Sequence, residues 1–161
     1  MDIFSIHNLI IVLHAATATL AFFAGCLLIF SPKYFLSRGL FYLYLWSLIA
    51  MALLLAGAVA VYWNNYSDVE RVVFPMLLGL ALFMLFRAWG AGVVFATQQK
   101  NWELGYVEHI GFTLISLFEG FIIVGGIDLG VPGWLVAVVA IAGLLVGRWL
   151  LGSAKHRVAG A

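Results

Sequence analysis

The sequence predicts an all-α integral membrane bundle of five transmembrane helices, and three observations carry that reading. Of 161 residues, 65% are apolar and only 9% are charged. A soluble domain carries about 25% charged residues, so this chain lacks the polar side chains to cover a water-facing surface. Second, five apolar stretches each reach the roughly 20 residues needed to cross a hydrocarbon core of about 30 Å. Third, the polar breaks between them are short, which leaves no room for a soluble domain and makes successive helices antiparallel neighbours.

The spans run at about Ile6–Phe30, Gly39–Tyr62, Val69–Ala96, Leu104–Ile127 and Val131–Leu151. They form one transmembrane domain over 1–152, followed by a short tail at 153–161. The prolines fit these boundaries. Pro32 follows the first helix, Pro132 opens the fifth, and Pro75 falls in the first turns of the third, where a missing N–H costs little. Ser67-Asp68-Val69-Glu70 is a capping box at the start of the third helix. Ala16-Thr17-Ala18 resembles a signal-peptidase site, but no Lys or Arg precedes the apolar run and Asp2 has the wrong sign, so the first helix is expected to stay.

Charge sets the expected orientation. Lys33, Arg38, Lys100, Arg148, Lys155 and Arg157 share one side of a five-span chain. Arg71 lies on the other with Asp2, Asp68, Glu70 and Asp128. Lys and Arg gather on the cytoplasmic side, so the amino terminus is expected outside and the carboxyl terminus in the cytoplasm, in a bacterial-type inner membrane. Trp63, Tyr66 and Trp134 would then make an outer aromatic belt, and Tyr34, Trp102, Tyr106 and Trp149 an inner one. Ala21/Gly25, Ala52/Ala56/Ala60 and Gly143/Gly147 are small-residue seams for helix packing, inside one bundle rather than between copies. The fourth helix adds Gly111, Gly120, Gly125 and Gly126.

A net charge of +1 gives no footprint for nucleic acid, and the single Cys26 excludes an intramolecular disulfide or a multi-cysteine metal site. The informative residues are polar groups inside the spans. A charge there costs about 2.5–3.5 kcal/mol on insertion scales, so it needs a partner or a wet cavity. His14, Arg87, Glu108, His109 and Glu119 are such groups, with His7 near the outer boundary. Counting inward from the helix ends puts His14 and Glu119 at one depth, Arg87 near the midplane, and Glu108 with His109 close to the inner boundary. At about 100° per residue, Glu108 and Glu119 share a face of the fourth helix, and His109, Thr113 and Ser116 adjoin it. That polar stripe is expected to face the bundle interior. These residues read as a ladder that relays protons or holds a small or lipid-like ligand, or as a structural network neutralising Arg87.

Other chemistries are less well supplied. A b-type haem needs two imidazoles at one depth, and His14 and His109 stand about 16 Å apart along the bundle axis. Haem on one histidine, or shared between two copies, and a quinone remain as a redox alternative. A metal at His14 and Glu119 has two ligands where zinc wants three or four. Ser116 and Thr113 lie near His109, but no nucleophile motif accompanies them, so no catalytic residue is assigned. A third reading is an accessory subunit, its seams docking a homo-oligomer or larger membrane complex. The lipid bilayer itself is the partner that this composition implies.

The layout resembles a group of small bacterial multi-pass membrane proteins without an assigned activity. The likeness rests on Leu13-His14-Ala15 through Leu20-Ala21-Phe22-Phe23-Ala24-Gly25, Ser37-Arg38-Gly39, Phe86-Arg87-Ala88 and Lys100-Asn101-Trp102. Leu36-Ser37-Arg38 stands where those proteins carry a His-Arg pair. The resemblance implies importance for His14 and Arg87 and supplies no activity.

Overall fold

The computed structural model describes the backbone of residues 3–159 and the side chains of 6–126, 129–136 and 138–156. The side chains of Asp2, Asp128 and Arg157 therefore lie outside the described set. The described residues form five α-helices: α1 (Ile3–Phe30), α2 (Arg38–Tyr62), α3 (Asp68–Thr97), α4 (Trp102–Asp128) and α5 (Gly133–Ala159). All five are long and apolar enough to cross a membrane. A single 3-10 turn, Trp63–Asn65, joins α2 to α3.

The helix ends follow local chemistry. Ser37 caps α2, its hydroxyl accepting from the Leu40 N–H at 3.3 Å. The capping box forms at α3: the Ser67 N–H donates to Glu70 Oε2 at 2.8 Å and the Glu70 N–H donates to Ser67 Oγ at 3.4 Å. Two expectations at the helix ends change. Pro75 falls in the early turns of α3 as expected, but seven residues past Asp68, so its missing N–H is not one of the unpaired donors of the first turn. Its missing N–H leaves the Arg71 carbonyl without its helical donor, a defect that membrane helices tolerate. The fifth helix also runs through the segment read as a tail, as far as Ala159.

Packing explains the architecture. α1 packs on α2, α2 on α3, α3 on α4, and α4 back on α1, so four helices close a ring. α5 stands outside it, attached chiefly to α4. The contacts alternate in direction. Gly25 lies by Tyr44, Gly92 by Phe41, Gly90 by His109, and Gly111 by Leu151. The ends of α1, α3 and α5 thus share one end of the bundle with the starts of α2 and α4. That end carries Arg38 and Lys155 on its helices and Lys33 and Lys100 in its connections.

The small-residue seams serve these contacts. A β-carbon at Gly147 would sit 2.7 Å from Ile115 Cγ1, and one at Gly126 would sit 2.6 Å from Val136 Cγ2. Gly143/Gly147 therefore lets α5 approach α4 of the same chain, as expected of a seam inside one bundle. Ala60 of the α2 seam instead faces outward.

Two residues assigned to the aromatic belts are core residues. Tyr106 is fully buried among Phe35, Phe41, Phe95 and Trp102, with ring centroids 5.5–6.0 Å away. Tyr66 is buried against Tyr62 and Phe74, its hydroxyl donating to the Ala58 carbonyl at 3.4 Å. Trp63, Trp134 and Trp149 remain exposed. At the core, Thr113 donates to the Ile110 carbonyl at 2.7 Å. Its remaining capacity is as an acceptor, so the buried Tyr44 hydroxyl donates to it.

Candidate functional site: a charged groove beside a central chamber

The titratable residues singled out in the sequence divide between two spaces. The first is a groove on the outside of the ring, between α3 and α5 over the face of α4, with a volume of about 540 Å³. Leu80, Phe112, Ile115 and Leu144 make its apolar walls, and Arg87, Glu108, Glu119, Arg148 and Lys155 line it too.

Its charges are ordered. Lys155 Nζ donates to Glu108 Oε2 at 2.9 Å, and Arg87 lies 3.9 Å from Glu108 Oε1. Arg87 also donates to the Glu108 backbone carbonyl at 3.3 Å and stacks over the Phe112 ring at 5.3 Å. One carboxylate thus faces two cations. Arg148, one α5 face with Lys155 at a seven-residue spacing, is exposed and pairs with none of the described residues. Glu119 closes the far end, where it covers Gly143. A β-carbon there would stand 2.8 Å from Glu119 Oε1, which is buried without a hydrogen-bond partner.

The second space is a half-open apolar chamber of about 310 Å³ lined by α1, α2, α3 and α4, with Ile11, Ala15 and Phe121 exposed at its mouth. His14 lines it, and so does Ser116; Glu119 does not. Leu80 and Ser116 border both spaces and form the partition between them. The pairing of His14 with Glu119 across the interior is therefore absent: α4 turns its Glu108/Glu119 face toward α5 and its Ser116/Gly120 face toward the ring. A polar stripe needs relief from lipid, and a groove under a fifth helix supplies it as well as a bundle centre does.

The other two histidines stand apart. His7 stacks on Tyr62, with centroids 4.1 Å apart, and meets Tyr66 edge-on at 6.3 Å. His109 packs against α3, where Gly90 makes room for it; a β-carbon there would lie 2.7 Å from its Cε1. Its Nδ1 is buried without a partner, as is Nε of Arg87. Among the described residues, no three His, Cys, Asp or Glu side chains are grouped to hold a metal ion.

Sequence reasoning overlooked Arg148 and Lys155 as site residues because both were counted as markers of the inner side. Their spacing was the available signal, since residues seven apart share a helix face. No family model, curated protein or solved structure matches the chain.

Proposed function

We propose that the protein is a non-enzymatic binding protein of a bacterial-type inner membrane, whose groove between α3 and α5 holds an anionic lipid-like molecule. The basic end faces the cytoplasm, because Lys and Arg accumulate there. The head group lies against Lys155, Arg87 and Arg148, and the chain follows Leu80, Phe112 and Leu144.

The observation that carries this reading is the unequal charge. Three cations line the groove against two carboxylates: Glu108, already bonded to Lys155 and close to Arg87, and Glu119 at the other end. Arg148 has no partner among the described residues, and a bare cation in a span is costly. Long Arg and Lys side chains reach toward the interface, which is the depth of a lipid phosphate. The separation of His14 from Glu119 favours ligand binding over a relay along the whole bundle, because a relay needs successive groups within reach of one another or of bridging water.

The test is native mass spectrometry of the full chain in detergent, with phosphatidylglycerol and phosphatidylcholine of matched chains. Phosphatidylglycerol is expected to stay bound at collision energies that strip phosphatidylcholine. Equal retention of the two would overturn the proposal.

A further inference from the structure

The central chamber has its own chemistry, separate from the groove. At about 310 Å³ it would hold around ten waters at liquid density. Its walls are almost entirely apolar, with His14 and Ser116 the polar side chains among them. A buried water needs two to four polar partners, so two side chains cannot support a filled water cluster. A half-open apolar cleft of this size on a four-helix ring is instead suited to an organic molecule that enters from the bilayer.

The two polar groups say which kind. His14 Nδ1 lies 2.9 Å from the Met51 carbonyl oxygen. A carbonyl only accepts, so Nδ1 carries a proton, and in the neutral imidazole the lone pair then lies on Nε2. This same bond fixes the orientation of the ring. Neither Nε2 nor the buried Ser116 hydroxyl bonds to any described residue. The chamber therefore presents one fixed acceptor from α1 and one rotatable hydroxyl from α4.

Small residues keep the space open. Ala15, Ala18 and Ala81 line it, and a β-carbon on Gly120 or Gly125 would meet nothing within 4 Å. Glycine at these two positions is thus not required by close helix packing, as it is at Gly147. It widens the chamber.

We infer that the chamber binds a neutral, largely apolar alcohol or phenol, whose hydroxyl donates to His14 Nε2 while its hydrocarbon body fills the space between Met51, Met84 and Phe121. The ring nitrogen selects for a donor; a ketone, ester or ether of the same shape leaves it unpaired. A chain alcohol and a ring phenol share this chemistry, and the experiment separates them.

The experiment is photolabelling of the full chain in lipid nanodiscs, read by peptide mass spectrometry, with each variant first checked for wild-type thermal stability. The probes are a diazirine-bearing long-chain alcohol, a diazirine-bearing alkylphenol, and the methyl ether of each. At least one hydroxyl probe is expected to label 11–18 of α1 and 116–125 of α4, and whichever labels more strongly identifies the source. Its ether is expected to label about fivefold less, the scale of one ordinary hydrogen bond. Two substitutions test the site independently. His14→Phe removes the acceptor and should lower the label about fivefold, as the ether does, whereas Gly120→Leu fills the space while leaving His14 in place and should abolish it. Gly79→Leu, on α3 away from the chamber and also free of steric conflict, should keep it. Lys155→Ala should keep it too, which separates the chamber from the groove. Labelling that His14→Phe leaves unchanged, that survives Gly120→Leu, or that the ethers reproduce equally, overturns the inference.

Discussion

Replacing Arg148 and Lys155 together by glutamine lowers retention of phosphatidylglycerol by about 10–100-fold. Each Lys or Arg near an anionic lipid surface contributes about 1 kcal/mol, and a hydrogen bond to a charged group about 1.5–3 kcal/mol. Two lost cations therefore cost about 2 kcal/mol, which is near 30-fold and within that range. The protein itself should remain folded. Arg148 has no partner among the described residues to lose, and Glu108 keeps Arg87 beside it when Lys155 loses its charge. Native mass spectrometry of the double variant, with circular dichroism to verify helix content, checks the result. Retention within twofold of the unsubstituted protein would mean that these two side chains hold no head group.

The second large effect comes from the seam between α4 and α5. Gly147→Leu drives a side chain into Ile115, whose Cγ1 lies 2.7 Å from the position of the new β-carbon. Overpacking of this kind costs about 1–3 kcal/mol. Because α5 is held chiefly by α4, the strain is relieved by α5 moving away rather than by the ring opening. Arg148 and Lys155 leave the groove with it. Hydrogen exchange should show faster exchange across α5, while α1 to α4 keep their protection. Gly133→Leu on the same helix meets nothing within 4 Å and should leave the pattern unchanged. Accelerated exchange across all five helices would mean that α5 belongs to the core.

Why the groove escaped the sequence follows from the solvent. In water, an amphipathic stripe tells which side of a helix is buried. In lipid, helices are apolar all round, so periodicity does not distinguish a face turned to the ring from one turned to the bilayer. Hydropathy therefore located the helix ends to within three residues except the last, where α5 runs eight residues past Leu151, and Ser67 with Glu70 marked the start of α3 directly. The four-residue glycine spacing at 143 and 147 marked a real seam. The arrangement of five helices as a ring of four with one outside could not be read from lengths and faces alone.

The same limit applies to single residues. Glu108 and Glu119 do share a face of α4, as 100° per residue requires, but the angular argument could not say that the face meets α5. Lys155 lies beyond the last apolar run and so read as tail. Helical hydrogen bonding continues past the hydrocarbon boundary, however, and carries Lys155 to within 2.9 Å of Glu108. Tyr106 shows the converse: its position near a helix end suggested the interface, yet four neighbouring aromatic rings bury it completely.

The most direct measurement is photocross-linking with a phosphatidylglycerol that carries a diazirine in its acyl chain, mapped by peptide mass spectrometry. A groove that holds the lipid predicts adducts concentrated on Phe112, Ile115 and Leu144, competed away by unlabelled phosphatidylglycerol. Adducts spread evenly over outward residues such as Trp46 and Leu53 of α2, and unaffected by the competitor, would contradict it.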